Sequence, residues 1–273
     1  RNLKLTVDKE AVVRNGIVPE SMKDQIVDEI VWRIPDNINY LYKNDLMLLD
    51  FMASNDWTRA VYFTSLSDIK NVLGIDKYLH QEGLSHRFIP VVASDYHKDA
   101  GGVYIDGSYE LLMADDIRWG NLNLPEVSVD PESRRNLLFV KQAYMRLADA
   151  LVNRNQNDSA IAVLDRCQEF FPDEKVPYDL YMMAYPEIYY RAGAMEKGDE
   201  LINKIIDNST DNLRYFSELD DRFIPYYSES IRENLAIINE MSNVASKYKR
   251  TELANSLNNL LEQEFDKFLS VFN

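Results

Sequence analysis

Residues 144–172 read YMRLADALVNRNQNDSAIAVLDRCQEFFP, and their apolar side chains recur at the spacing of two antiparallel helices that interlock. Small side chains at Ala148 and Ala160 allow the two helix axes to approach closely. Pro172 ends the second helix because it cannot donate a backbone N–H. Larger residues fill the predicted seam: Tyr144, Leu147, Leu151, Leu164 and Cys167. This stretch therefore predicts a helical hairpin built for contacts and not for a reaction.

The hairpin has the residue pattern of a tetratricopeptide-type unit, which spans about 34 residues. Helical periodicity predicts six helices in this half of the chain, at residues 133–153, 158–170, 178–192, 195–207, 223–248 and 251–272. The second pair matches the repeat less well than the first, because Pro186 replaces the usual small residue. We expect about three stacked hairpins, which would form a short right-handed solenoid with a concave face.

Glycine and tryptophan divide the chain into two regions. Seven of the nine glycines and all three tryptophans lie before Asp130. Pro125 and Pro131 bracket an extended segment, and Asp130 or Ser133 can cap the helix that follows this segment. We predict a small α+β domain at residues 1–130 and a tetratricopeptide-like helical domain at residues 131–273. The predicted fold class is α+β, mainly α: a small mixed α/β layer followed by a repeat of antiparallel helical hairpins.

The amino-terminal region mixes short strands with helices. Alternating and β-branched residues predict strands at residues 3–7, 60–64 and 87–92. Apolar spacing predicts helices at residues 40–54 and 76–83, the latter ending at Gly83. The sequence Asn55-Asp56-Trp57 is expected to form the turn between the helix at 40–54 and the strand that follows.

Composition limits the function classes. The 273 residues are 46% hydrophobic, which is enough for two cores. A formal charge of −15 argues against nucleic acid or an anionic membrane surface as partner, because both attract clustered Lys and Arg. Cys167 is the one cysteine, and its apolar helical position predicts a buried thiol. The chain has no run of about 18 apolar residues. Because it starts with Arg1, we expect an excised region or a processed product.

Candidate chemical sites are few. His80 and His86 are six residues apart, which matches neither a helical face nor a usual zinc-ligand spacing. Adjacent Asp115 and Asp116 resemble a pair that holds a divalent ion, but no nucleotide-binding glycine loop accompanies them. Asp95, His97 and Asp99 lie in one polar loop, which can place a base near an acid. No Ser or Cys nucleophile motif accompanies them. We therefore predict no catalytic residue, no metal ligand and no cofactor.

Tyrosines are frequent in the helical region. A tyrosine ring adds contact area while its hydroxyl stays hydrated, so Tyr181, Tyr189 and Tyr190 are candidates for a protein or sugar contact. The alternative is that these rings fill helix seams. That alternative is favoured for Tyr185 and Tyr189, because both fall on the predicted seam of the second hairpin.

Three segments carry a family resemblance: LDFMASNDWTRAVYF at 49–63, YLHQEGLSHRFIP at 78–90 and MADDIRWGN at 113–121, followed by Arg134 and Arg135. Together they resemble a family of polytopic membrane proteins of unknown function, found in outer-membrane-bearing bacteria, that are related to protein O-mannosyltransferases. In that family a multi-span amino-terminal part precedes a soluble carboxy-terminal region with tetratricopeptide-like helices. The resemblance covers most of residues 40–172.

The resemblance implies that this chain is the soluble carboxy-terminal region of such a protein. It would lie on the periplasmic side of the inner membrane, tethered by upstream transmembrane helices. Those helices of its own parent protein would also be one of its binding partners. The catalytic acid of such lipid-linked sugar transferases lies between early membrane spans, so none is carried over to this sequence. Whether the parent is an active glycosyltransferase stays open. The family often has Arg-Pro where this chain has Arg59-Ala60.

Three functional hypotheses follow. The first is a non-catalytic extracytoplasmic module that contacts a protein partner or an acceptor protein. The alternative is carbohydrate binding by the aromatic amino-terminal region, where Trp57 and Arg59 either orient their turn or contact a glycan. A hydrolase that uses Asp95, His97 or Asp115 ranks last. None of the three involves nucleic acid.

Overall fold

A computed structural model describes residues 2–33, 40–65, 75–93, 101–220 and 222–269. The chain divides into two compact units, Arg1–Ala114 and Asp115–Asn273, here called the amino-terminal unit and the helical unit. The division falls earlier than the position after Asp130 that the sequence indicated. The amino-terminal unit carries small sheets and short helices, and the helical unit carries long helices. The predicted fold class, α+β and mainly α, is confirmed.

Two sheets form in the described part of the amino-terminal unit. Strand β1, Asn2–Thr6, pairs antiparallel with β2, Glu29–Arg33. The other sheet has the order β3-β5-β4-β6, in which β4 and β6 are parallel and the other pairs are antiparallel. Its strands are β3 (Val61–Phe63), β4 (Leu79–Glu82), β5 (Ser85–Phe88) and β6 (Gly102–Val103).

Three α-helices accompany these sheets in the described residues: α1 (Lys9–Arg14), α2 (Lys43–Ser54) and α3 (Ile105–Leu112). Asp8 caps the start of α1, because its Oδ1 accepts the Ala11 N–H at 2.9 Å and so satisfies one otherwise unpaired donor. The core of the unit joins side chains from both sheets and from α1 and α2, among them Val12, Ile30, Met52, Leu79 and Phe88.

The strands expected at 3–7 and 60–64 and the helix expected at 40–54 are confirmed within a few residues at each end. The helix expected at 76–83 is wrong. A single 3₁₀ turn, Asp76–Tyr78, leads into β4 instead. Gly83, with φ of 64°, opens the two-residue turn that joins β4 to β5. The apolar spacing of Ile75, Tyr78 and Leu79 fits a helix and a buried strand equally, so periodicity alone could not decide.

The described part of the helical unit contains six α-helices. They are α4 (Pro131–Asn153), α5 (Asn157–Phe170), α6 (Ala184–Arg191), α7 (Met195–Ser217), α8 (Ser228–Lys247) and α9 (Thr251–Lys267). Helices α4 and α5, α6 and α7, and α8 and α9 pack as consecutive pairs, here called hairpins 1, 2 and 3. Asp130 caps the start of α4, and its Oδ1 accepts the N–H groups of Glu132 and Ser133.

The seam predicted for hairpin 1 is confirmed, because each of its residues is at most 2% exposed: Tyr144, Leu147, Ala148, Leu151, Ala160, Leu164 and Cys167. Four boundaries differ from prediction by five residues or more: the start of α6, the end of α7, the start of α8, expected at 223 and found at Ser228, and the end of α9, expected at 272 and found at Lys267. Helix α7 continues to Ser217, since buried Leu213 and Phe216 extend its apolar stripe. Helix α6 starts only at Ala184, which places Pro186 in the first turn, where a missing N–H costs little.

The three hairpins share one turn geometry. Each turn has a residue with positive φ: Asn155 at 59°, Gly193 at 89° and Lys249 at 60°. In each turn this residue donates its N–H to the carbonyl three residues earlier, and the next residue donates to the carbonyl five residues earlier. This is the Schellman pattern that ends many helices. The repeated turn marks equivalent positions in the three hairpins.

Candidate functional site

The turn after α2 carries two of the predicted site residues, Trp57 and Arg59. Asp56 and Trp57 both have a left-handed backbone, with φ of 46° and 54°, which residues other than glycine rarely adopt. Asn55 Nδ2 donates to the Arg59 carbonyl at 2.8 Å, and Thr58 Oγ1 donates to the Asn55 carbonyl at 2.7 Å. These local bonds between side chain and backbone hold the turn in a conformation that would otherwise be costly.

The Trp57 side chain anchors this turn inside the amino-terminal unit. It is 7% exposed and stacks on Phe88, with ring centroids 5.8 Å apart. Its Nε1 donates to the Thr6 carbonyl at 3.3 Å, and its own carbonyl accepts Asn15 Nδ2 at 2.9 Å. The indole therefore ties the α2–β3 turn to β1, to β5 and to the residue that follows α1.

Trp57 and Arg59 line the same small pocket. Arg59 is exposed, and its guanidinium makes no ion pair with any residue that the structure describes. The sequence did not indicate a third polar member, Asn55, which is 9% exposed. The Asn55 Oδ1 atom accepts no hydrogen bond from the described protein. Apolar side chains form the remaining walls: Leu5, Ile17, Met52, Val61 and Phe88.

Tyr189 and Tyr190 lie on α6 and are 1% and 2% exposed. The Tyr189 hydroxyl donates to Asp165 at 2.8 Å, and the Tyr190 hydroxyl donates to Asp199 at 2.7 Å. Burial raises the pKa of both phenols above the ordinary value, and the acidic partners raise it further. In this structure the two hydroxyls therefore serve contacts within the helical unit.

Charged pairs join successive hairpins at equivalent positions. In each pair, the acidic residue lies six positions before the positive-φ turn residue of one hairpin. The basic residue lies two positions before the positive-φ turn residue of the next hairpin. Asp149 pairs in this way with Arg191, and Glu187 pairs with Lys247 at 2.7 Å. Such part-exposed pairs are worth about 1 kcal/mol or less each, so they align the hairpins more than they stabilise them.

Tyr181 and an aromatic cluster near the α7–α8 connection are open to solvent. Tyr181 is 44% exposed and belongs to the 3₁₀ turn before α6. Near the α7–α8 connection the rings of Phe216 and Tyr227 stack with centroids 5.1 Å apart. Tyr215 and Tyr227 of this cluster are exposed, and so are Phe223 and Tyr226 in the same connection. Exposed aromatic rings on a helical surface suit contact with a protein partner.

A polar cluster joins hairpin 1, the segment after it and the start of α6. Lys141 is fully buried, donates to the Val176 carbonyl at 2.8 Å and lies 4.4 Å from the centre of the Tyr178 ring. Tyr185 donates to the Lys141 carbonyl at 2.6 Å, and its hydroxyl is 3.2 Å from Cys167 Sγ. Burial lowers the pKa of Lys141 to about 8 and raises that of Cys167 to about 11. Sequence reasoning did not single out Lys141.

The remaining candidates from the sequence are dispersed. His80 is 3% exposed, and its Nε2 lies 3.0 Å from the Val91 carbonyl. Asp115 lies 4.0 Å from Arg166, and the polar loop with Asp95, His97 and Asp99 falls outside the described residues. Within the described ranges, no three His, Cys, Asp or Glu side chains converge to hold a metal ion.

Comparison with known proteins finds a similarity for part of the chain. The architecture is a mixed α/β unit followed by helical hairpins. Residues 1–106, most of the amino-terminal unit, match the model of TMEM260-associated domain 2, a domain named for its association with a membrane protein. No curated protein and no solved structure matches the chain significantly. Among the described residues, no helix has the combined length and apolar character that crossing a bilayer requires.

Proposed function

We propose that this chain is a non-catalytic extracytoplasmic module of a polytopic, glycosyltransferase-like membrane protein, and that it contacts a protein partner or an acceptor protein. The observation that carries the proposal is the match of residues 1–106 to a domain associated with a membrane protein. The match overlaps the segments at 49–63 and 78–90, which resemble the membrane proteins related to protein O-mannosyltransferases. Both similarities support a place beside membrane-spanning helices upstream of this chain.

The helical unit supports the contact role. The Schellman turns at Asn155, Gly193 and Lys249, with equivalent ion pairs between hairpins, favour a tetratricopeptide-like repeat. Repeats of this class present extended surfaces that bind other chains. The exposed rings of Tyr181 and Tyr226 supply aromatic contact area on the described surface. In the full-length protein we place this surface on the periplasmic side of the inner membrane, where an acceptor would be met.

A deletion in the full-length protein tests this role. Removing residues 115–273, the helical unit, should leave membrane insertion unchanged, as measured by protease protection, and should reduce glycan transfer to the protein acceptor. Tyr181→Ala with Tyr226→Ala should reduce transfer without removing the unit. Lys204→Ala, at an exposed position of α7, is the matched control. Undiminished transfer by the deletion variant, or no transfer by the intact protein, contradicts the proposal.

A second candidate, carbohydrate binding by the amino-terminal unit, is favoured by one observation. Tyr40 and Tyr42 are 66% and 60% exposed, and their rings meet edge to face with centroids 5.2 Å apart. Exposed aromatic rings with hydrated hydroxyls suit stacking on a sugar. Calorimetric titration of the chain with a glycan panel should give binding that Tyr40→Ala weakens. A flat response to every glycan removes this candidate.

A further inference from the structure

Large apolar side chains of α2 and of the residues just before it are exposed to solvent. Leu46, Met47 and Phe51 are 54%, 63% and 43% exposed, and Tyr40 and Tyr42 are 66% and 60% exposed. Met47 and Phe51 are four positions apart, so they lie one above the other on the helix. These five side chains, here called the α2 face, together expose roughly 550 Å². Apolar patches of this size mark contacts with a protein or a membrane.

Helix α2 is apolar on both of its sides. Its inner side carries Leu48, Leu49 and Met52, which pack with the core of the amino-terminal unit. The helical members of the α2 face lie on the outer side. A surface helix ordinarily turns polar residues outward, whereas a helix that is apolar all round is covered all round. The α2 face therefore calls for a cover.

The α2 face is close to electrically neutral, although the chain carries a formal charge of −15. The exposed charged residues of α2 are Lys43 and Asp50, whose opposite charges cancel. Asp45 is 6% exposed and accepts the Tyr42 N–H at 2.8 Å. An acidic chain is repelled by an anionic surface, so a neutral apolar face can approach a lipid headgroup layer at less electrostatic cost.

Size and composition favour lipid over protein as the cover. Each partner of a stable protein interface contributes about 800 Å², and the α2 face is smaller than that. Tyrosine, with an apolar ring and a hydrated hydroxyl, is typical of the membrane–water interface. The stem of Lys43 can lie along the apolar layer while its ammonium stays hydrated. A sugar stacked on the rings of Tyr40 and Tyr42 would leave the apolar side chains of α2 uncovered.

We propose that the α2 face lies in the headgroup region of a lipid bilayer, with α2 parallel to the membrane surface. The side chains of Leu46, Met47 and Phe51 then reach the boundary of the acyl chains. This inference rests on the proposed function, which places membrane-spanning helices upstream of β1. A single amphipathic surface of this size binds a bilayer weakly and reversibly, so the tether matters because it raises the effective concentration of the membrane.

The strand pairing places the α2 face near the entry point of such a tether. Asn2, at the start of β1, pairs with Arg33 at the end of β2. Tyr40 follows Arg33 by seven chain steps, which span at most about 25 Å. The α2 face therefore begins within a short reach of the end of the unit that an upstream membrane helix would join.

Tethered vesicles test the inference. The whole chain, with an amino-terminal polyhistidine tag, is bound to phosphatidylcholine vesicles that contain a nickel-chelating lipid. Met47→Cys carries an environment-sensitive dye, and Asn203→Cys, at an exposed position of α7, carries the same dye as the control. Cys167 is fully buried and stays unlabelled. We expect the emission at position 47 to rise roughly twofold on tethering and to be quenched by spin-labelled lipid, with no change at position 203.

Variants identify the face that inserts. Tyr40→Ser with Phe51→Ser should roughly halve the rise at position 47, because two inserted rings are lost. Leu84→Ser is the matched control, since Leu84 is 47% exposed in the β4–β5 turn, and it should leave the rise unchanged. Circular dichroism checks the fold of each variant. If Phe51→Ser does not fold, Tyr40→Ser alone provides the test, because Tyr40 precedes the helix.

Two results overturn the inference. One is unchanged emission at position 47 on the tethered vesicles. The other is a dye at position 47 that is shielded in the full-length protein but not quenched by spin-labelled lipid, which would mean that a protein covers the α2 face. The test of the proposed function measures glycan transfer, whereas the vesicle test uses the tagged chain alone. Failure of one is therefore distinguishable from failure of the other.

Discussion

Tyr190 packs its ring directly against the backbone of Gly198, and this contact sets how closely α6 approaches α7. A Cβ atom added at Gly198 would lie 2.6 Å from Tyr190 Cδ1 and 3.0 Å from Tyr190 Cζ. The ring cannot move aside easily, because it is 2% exposed, its hydroxyl donates to Asp199, and it packs 5.1 Å from the Tyr248 ring. The two helices of hairpin 2 therefore meet at a glycine that has no room for a side chain, and the ring that fills this space also packs on Tyr248 of hairpin 3.

Gly198→Ala should destabilise the helical unit although alanine is the better helix former. The propensity gain is about 1 kcal/mol, and overpacking against a fixed ring costs about 1–3 kcal/mol. We expect a net loss of about 1 kcal/mol in the free energy of unfolding, measured by urea denaturation with Trp119 fluorescence. Asn203→Ala, at an exposed position of the same helix, is the control and should be neutral or slightly stabilising. Equal stability of Gly198→Ala and the wild type would contradict this packing account.

The turn of hairpin 3 should be improved by glycine. Lys249 is exposed and holds φ at 60°, whereas the equivalent position of hairpin 2 is Gly193. A left-handed backbone strains a residue with a Cβ, so Lys249→Gly should raise the unfolding free energy by about 0.5–1 kcal/mol. Lys249→Ala removes the same side chain but keeps the strain, so it should give no gain in the same urea measurement. A loss of stability in Lys249→Gly would show that the turn carries no strain.

The sequence predicted the hairpins more completely than the amino-terminal unit for a physical reason. In hairpin 1 the apolar positions from Tyr144 to Cys167 follow one helical period, and each pair of neighbours in the seam is close in sequence. In the amino-terminal unit, β1 pairs with β2 across residues 7–28, and β4 pairs with β6 across residues 83–101. Such pairings leave little local signal, so β2 and β6 are not predicted from the sequence, and the short helices α1 and α3 are not predicted either.

The candidate site shows the same limit. The sequence predicts a turn at Asn55-Asp56-Trp57, with Arg59 just after it. The structure places Asn55, Trp57 and Arg59 around one pocket. What the sequence could not give was the burial of the Trp57 ring against Phe88, which lies 31 positions later in the chain, or the unmet Asn55 oxygen. Both depend on contacts with β1 and β5, which a local pattern does not contain.

The Cys167 thiol should be unreactive in the folded chain. It is fully buried, and burial raises its pKa to about 11, so the thiolate that reacts with disulfide reagents is scarce near neutral pH. A colorimetric disulfide reagent should therefore titrate no thiol in native conditions and one thiol per chain in denaturant. Tyr185→Phe removes the hydroxyl 3.2 Å from Sγ without exposing the sulfur, so it should stay unreactive. Rapid modification of the native wild type would show that this seam opens.

Lys141 should make stability depend on pH in the alkaline range. Burial lowers its pKa in the folded chain to about 8, below the value of about 10.4 in an unfolded chain. Between these values the unfolded state binds more protons, so the free energy of unfolding contributed by this group rises with pH. The rise is at most about 1.4 kcal/mol per pH unit, or about 3 kcal/mol in total.

The comparison with Lys141→Met isolates this effect, because the tyrosines whose pKa values burial raises are present in both proteins and cancel. We expect the difference in unfolding free energy, wild type minus Lys141→Met, to increase by about 2 kcal/mol between about pH 7.5 and about pH 9.5 in urea titrations. Lys204 is exposed, so the difference in unfolding free energy between the wild type and Lys204→Met should not change with pH. A constant difference for Lys141→Met would mean that Lys141 keeps its charge in the core, held by the Val176 carbonyl and the Tyr178 ring.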